Sequence, residues 1–149
     1  MTATRRQARE WAIQMLTAAD MNPGVAAEQI INDFWAQVPT LDDDDGGTGG
    51  EIPKGKLKAF ADERVAGVLA DAKAIDAILE PLLDGWDIYR LGTVERAVLR
   101  MGIWELKNTD VPAGVVINEA IDLANWFPSP KSRPLVNGVL DRFAKSQKA

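Results

Sequence analysis

The segment VVINEAIDLANWFPSPKSRPLVNGVL, residues 115–140, decides the fold class of this chain. Apolar residues on both sides of its proline-rich centre recur at intervals of three and four, which is the spacing of one face of an α-helix. Asn137-Gly138 would alone suggest a hairpin turn, but the same interval continues across it, so a helix is favoured there. We expect two amphipathic helices joined by a stiff, basic loop, with Gly138 allowing a close helix contact.

The helical interval continues through the rest of the chain, and no segment alternates as a strand would. The first helix is expected over about 4–19, with Thr2 or Thr4 as its N-cap, and the second starts at Asn22-Pro23. A third runs from Leu57 and should break or kink near Pro81. Three more are expected to start at a Thr93 cap, at Pro112 and at Ser132. A turn is expected at Gly85. The pattern predicts an all-α fold: one compact bundle of about six to seven helices in a single domain over residues 1–149, with a flexible acidic, glycine-rich loop at about 39–55.

The composition narrows the classes of function. The chain has 149 residues, a formal net charge of −5, and neither cysteine nor histidine. Disulfides, thiolate or histidine metal sites and the common catalytic triads are therefore excluded, and we expect no catalytic residues and no cofactor. Asp42–Asp45 do not fit a calcium loop, because Ile52 or Pro53 would replace its bidentate glutamate, so no metal is expected. No signal peptide or membrane span is recognisable, which predicts a cytoplasmic protein without membrane contact.

Four segments together resemble one family. They are TRRQAREWAIQML near the start, LGTVERAVLRMGIWEL, DVPAGVVINEAIDLA and LVNGVLDRFA, and they follow the order found in the NusB family of transcription antitermination factors. The resemblance implies an all-helical protein that binds the boxA element of nascent, single-stranded RNA together with the ribosomal protein NusE. It further implies a role in the RNA polymerase antitermination complex and in transcription of ribosomal RNA operons.

Two segments are candidates for RNA contact. The first contains the candidates Arg5, Arg6, Gln7 and Arg9. Its three arginines carry guanidinium groups suited to phosphates, and Gln7 interrupts what is a run of arginines in the family. From the residues alone, a solvated helix edge paired with Glu10 is the alternative.

The second segment is the loop after Ala124, which combines hydrogen-bonding, stacking and cationic groups suited to single-stranded RNA: Asn125, Trp126, Phe127, Lys131 and Arg133. Phe127 also continues the apolar helical face, so Trp126 is the better stacking candidate. Many relatives have an acidic residue where this chain has Lys131, which should strengthen the attraction to phosphate. Ordinary loop solvation is the alternative for both cations.

For NusE, the resemblance implies contacts at Glu95 and Leu135. The alternative for Glu95 is stabilisation of the positive end of its own helix. Two other interpretations of the whole chain stay open. One is a homodimeric or partner-sequestering variant that hides its RNA face, and the other is a stand-alone relative of the RNA-binding module of RNA methyltransferases.

Overall fold

The computed structural model describes residues 4–37, 54–123 and 129–147, and in these ranges it is helical without strands. The helices are α1 (Arg5–Met21), α2 (Ala27–Gln37), α3 (Lys54–Ala70), α4 (Ala72–Leu82), α5 (Thr93–Asn108), α6 (Ala113–Asp122) and α7 (Ser132–Gln147), with a short 3-10 helix at Ile88–Arg90. The all-α prediction is confirmed. Contacts cluster into two compact units, residues 1–69 and 70–149, which are described separately. The single-domain prediction stays a prediction.

Aromatic side chains connect the helices of the N-terminal unit. The rings of Trp11 on α1 and Trp35 on α2 meet edge to face, with their centroids 5.3 Å apart. The Trp35 indole N–H donates a hydrogen bond to Asp62 Oδ1 on α3 at 2.7 Å, which satisfies the polar atom of a largely apolar ring. These contacts link α1, α2 and α3.

Helix α5 is the centre of the C-terminal unit and packs against α4, α6 and α7. Gly102 permits the close approach of α7, because a Cβ atom at this position would lie 2.8 Å from Leu140 Cδ2. On the side facing α4, the Arg100 guanidinium donates two hydrogen bonds to the Asp76 carboxylate, each 2.8 Å long. The close approach of α7 at Gly102 and the bidentate ion pair with Asp76 on α4 together fix the position of α5.

The predicted start of the second helix at Asn22-Pro23 is wrong, because the helix begins at Ala27. Asn22 instead ends α1: its backbone N–H donates to Ala19 O at 3.2 Å, and its side chain donates to Ala18 O at 2.7 Å. Gly24, with a φ of +91°, then turns the chain. The short Asn-Pro signal marks the end of one helix here and not the beginning of the next.

The helix predicted to break or kink near Pro81 does end there, since Pro81 lies inside α4 one residue before its end. A further interruption at Asp71, between α3 and α4, was not predicted. A proline so close to the end interrupts a helix that stops in any case. The expected turn at Gly85 is confirmed by its φ of +87°.

The remaining predictions concern the start of α5, Asn137-Gly138 in α7 and the loop before α3. Thr93 is the first residue of α5 and not its cap, since Gly92 occupies the N-cap position. Asn137-Gly138 is helical, as the spacing predicted, but nothing lies within 4 Å of a Cβ built at Gly138. The close helix contact expected there is instead made by Gly102. Most of the loop predicted at 39–55 lies outside the described residues, although α3 already begins at Lys54.

Candidate nucleic-acid interface

The first turn of α1 presents two arginines at the positive end of a helix. Thr4 is the N-cap, and its hydroxyl oxygen accepts a hydrogen bond from the Gln7 backbone N–H at 3.2 Å. Arg5 and Arg6 are exposed, Gln7 is partly exposed, and the turn contains no acidic residue. The helix dipole and the two guanidinium groups therefore attract an anion to the same turn.

Arg9 does not share this exposure. Only 3% of its surface is accessible, and its guanidinium carbon lies 5.1 Å from the centroid of the Phe60 ring on α3. Arg64 covers the same ring at 3.4 Å. The structure thus places Arg5 and Arg6 on the surface of the N-terminal unit and Arg9 in its interior, where cation–π contact stabilises the guanidinium.

The start of α7 carries the two cations of the second predicted segment. Lys131 and Arg133 are both exposed, on either side of the buried Ser132. Ser129 orders the approach to the helix: its hydroxyl oxygen accepts from the Lys131 N–H at 3.2 Å, and its carbonyl accepts from the Ser132 N–H at 3.1 Å. The other predicted members, Asn125, Trp126 and Phe127, lie outside the described residues.

Glu95 and Leu135, expected at the NusE face, differ in exposure. Leu135 is partly accessible, whereas Glu95 is 8% exposed in the first turn of α5. The Ser132 hydroxyl donates a hydrogen bond of 2.7 Å to Glu95 Oε2, so the carboxylate joins the start of α5 to the start of α7. Its position at the positive end of α5 also agrees with the dipole alternative for this residue.

With this geometry in place, comparison with known proteins identifies the family. The family model described as the NusB family matches residues 6–145, which span both units. The chain belongs to the NusB family. It is 38% identical over 143 residues to the transcription antitermination protein NusB of Sorangium cellulosum, a match that covers 95% of this chain and 92% of that relative.

Solved NusB structures have the same fold. A crystal form of T. maritima NusB matches with a TM-score of 0.79 and 30% identity, covering 97% of this chain and 93% of that one. A structure described as antitermination factors NusB and NusE in complex with double-stranded RNA matches with a TM-score of 0.71 and 26% identity, covering 95% of this chain and 96% of the matched chain. The second of these NusB proteins therefore binds both RNA and NusE.

One exposed surface of this family member was missed from the sequence. Trp86 and Tyr89 are 57% and 68% accessible. Trp86 also lines a groove of about 530 Å³, together with Asp84, Gly85, Asp87 and Arg90. The buried Arg96 holds the segment by donating to the carbonyls of Ile88 and Leu91, at 3.3 and 2.9 Å. In the sequence, Trp86 and Tyr89 lie between the Gly85 turn and α5 and do not continue a helical apolar face. This could have indicated that they are exposed.

The described ranges contain no group of three or more acidic side chains placed to hold a metal ion. None of their helices has the length and apolar character needed to cross a bilayer.

Proposed function

We propose that this chain is a transcription antitermination factor: a noncatalytic adaptor that binds boxA-like RNA together with the ribosomal protein NusE. The observation that carries the proposal is family membership over residues 6–145. A NusB relative of the same fold, in complex with NusE and RNA, supports both partners. The absence of histidine and cysteine from the sequence supports the noncatalytic part, because it removes the commonest general base and nucleophile.

Local charge supports the RNA part of the proposal. The whole chain has a formal charge of −5, so nonspecific attraction to RNA would be weak. Arg5 and Arg6 at the start of α1, and Lys131 and Arg133 at the start of α7, supply exposed cations at helix N-termini, where phosphates are favoured. We assign phosphate contact to these four side chains. Asn125, Trp126 and Phe127 stay proposed base contacts, because single-stranded bases stack on aromatic rings.

We assign Leu135 to the NusE contact, since it is partly accessible in the first turn of α7. In the proposed mechanism the chain joins RNA and NusE, and the pair then joins the elongating RNA polymerase in the cytoplasm. Such a complex would favour readthrough of ribosomal RNA operons. The chemistry is binding alone, so the expected effect of NusE is to raise RNA affinity by adding contacts to one assembly.

A fluorescence anisotropy titration of labelled boxA RNA, with and without NusE and at two salt concentrations, tests the function. We expect NusE to tighten RNA binding, higher salt to weaken it, and Arg6→Ala to reduce affinity. A scrambled RNA is the specificity control, and a duplex of the same sequence compares the two RNA forms. A stable dimer by light scattering, with no RNA binding even when NusE is present, would instead establish the partner-sequestering alternative.

A further inference from the structure

The Glu95 carboxylate occupies a confined position in the C-terminal unit. Glu95 is 8% exposed, and one of its oxygens accepts the 2.7 Å hydrogen bond from Ser132. The other oxygen lies over Gly92, where an added Cβ atom would approach it to 2.6 Å. A buried carboxylate is costly unless hydrogen bonds or favourable charges compensate. Here Ser132 and the positive end of α5 provide that compensation.

Ser132 is placed to transmit this constraint. It is 2% exposed and is the first residue of α7, directly between the exposed Lys131 and Arg133. Ser132 is buried, whereas both of its neighbours are exposed. The 2.7 Å bond to Glu95 therefore ties the backbone between the two cations to α5, although Glu95 lies 37 residues earlier.

We propose that Glu95 is a positioning residue for the RNA-contacting start of α7, acting through Ser132. The proposal rests on the proposed function, since it assumes that Lys131 and Arg133 contact RNA. Holding ligand-binding groups in a fixed direction lowers the ordering cost of binding.

The proposal also explains why position 92 is a glycine. Gly92 has an extended backbone that any residue adopts, with φ −64° and ψ 156°, so its conformation does not demand glycine. The space does, because an alanine methyl would meet Glu95 Oε1 at 2.6 Å. Gly92→Ala should therefore displace the carboxylate without removing it, and should weaken RNA binding in the same direction as Glu95→Ala.

The test measures RNA affinity for Glu95→Ala, Glu95→Gln, Ser132→Ala and the Glu95→Ala/Ser132→Ala double variant of the full chain. Each single alanine variant should weaken boxA RNA binding roughly tenfold, and the double variant should be no weaker, because both remove one shared hydrogen bond. Glutamine retains an acceptor for Ser132, so Glu95→Gln should stay within about twofold of the wild type.

Asp76→Ala is the matched control. It removes the bidentate pair with Arg100, a partly buried link within the same unit that does not involve α7. It should lower stability and leave RNA affinity unchanged. The proposal is overturned if Glu95→Ala leaves RNA binding unchanged, if Glu95→Gln is as weak as Glu95→Ala, or if the two alanine effects add.

Amide hydrogen exchange separates this proposal from the proposed function. If the wild type binds no RNA, the proposed function fails, but exchange at the Ser132 and Leu135 amides still reports the positioning. These amides donate to Ser129 O and Lys131 O. Glu95→Ala should speed their exchange, with rescue by Glu95→Gln, and unchanged exchange would overturn the positioning role.

Discussion

The starts of α1 and α7 both present exposed cations, but they are held by different kinds of contact. At α1, Thr4 caps the helix by accepting from the Gln7 N–H, three residues away. At α7, Ser132 is anchored by Glu95, 37 residues away on α5. A local cap forms wherever the helix forms, whereas the second anchor exists only when α5 and α7 are packed.

This difference predicts how each segment responds to substitution. Substitutions at the packing contacts between α5 and α7 should disturb Lys131 and Arg133, although the substituted residues lie outside the RNA-contacting segment itself. The same changes should not alter the Thr4 cap, which needs only its own helix.

The largest expected effect comes from Gly102→Val. The new side chain would collide with Leu140, whose Cδ2 lies 2.8 Å from an added Cβ, and overpacking of this kind should cost about 2 kcal/mol of unfolding free energy. Urea denaturation measures the loss. Amide exchange should quicken at Ser132 but not at Gln7, and equal quickening at both would remove the distinction between the two helix starts.

Gly138→Ala is the matched control for this glycine. Gly138 is also inside a helix, but nothing lies within 4 Å of its added Cβ. Alanine there should raise the unfolding free energy by about 0.5–1 kcal/mol, because it reduces the freedom of the unfolded chain.

The Arg5→Ala/Arg6→Ala double variant tests the α1 segment alone. RNA affinity should fall about tenfold, and the slope of affinity against salt should become shallower by about one to two phosphate contacts. Stability should change by less than about 0.5 kcal/mol, since both side chains are exposed. Lys145→Ala, which removes an exposed base paired with Asp141 at 2.9 Å, controls for net charge and should bind RNA as the wild type does.

Arg9→Met separates packing from phosphate contact within the same helix. Because Arg9 is 3% exposed against Phe60, its loss should lower the unfolding free energy by about 1 kcal/mol and leave the salt slope unchanged. A shallower slope for this variant would restore Arg9 to the group of RNA-contacting residues.

Lys131→Glu makes the corresponding test at α7. Reversal of this exposed charge should weaken RNA binding about fivefold and reduce the salt slope by about one. Lys131→Gln should give an intermediate affinity, because it removes the attraction without adding repulsion. If both the affinity and the salt slope are unchanged, Lys131 has no part in RNA binding.

The most local effect is expected from Thr4→Ala, which removes the cap of α1. Loss of a side-chain cap costs about 1 kcal/mol of helix stability, concentrated in the first turn. Amide exchange at Gln7 should quicken, while exchange at Ser132 stays as in the wild type. Thr4→Ser keeps the hydroxyl acceptor and should behave as the wild type.

The sequence was sufficient where neighbouring residues decide the outcome. The intervals of three and four predicted helices, including α7 through Asn137-Gly138, and Thr4 was among the expected caps. Family motifs indicated the fold and function class that family membership supports. Arg5 and Arg6 were also identified from the sequence as candidate phosphate contacts, and both are exposed.

The sequence was insufficient where a residue's partner is distant along the chain. Arg9 resembled Arg5 and Arg6 until Phe60, 51 positions later in the chain, was seen beside it. Gly138 was expected to make the close contact that Gly102 makes, since a glycine alone does not show what it faces. The position of Glu95 in the sequence indicated stabilisation of the positive end of its own helix. It did not indicate the hydrogen bond from Ser132.

By itself, the sequence determined the helical fold class, the family, two candidate caps for α1 and the clustering of cations near two helix starts. These depend on backbone propensity and on residues within one or two turns of each other. Only the tertiary structure decided that Arg9 is interior, that Gly102 admits Leu140, and that Glu95 holds Ser132. Each of these depends on packing between separate helices, where burial and the distance between two side chains determine whether a charge faces solvent or its own protein.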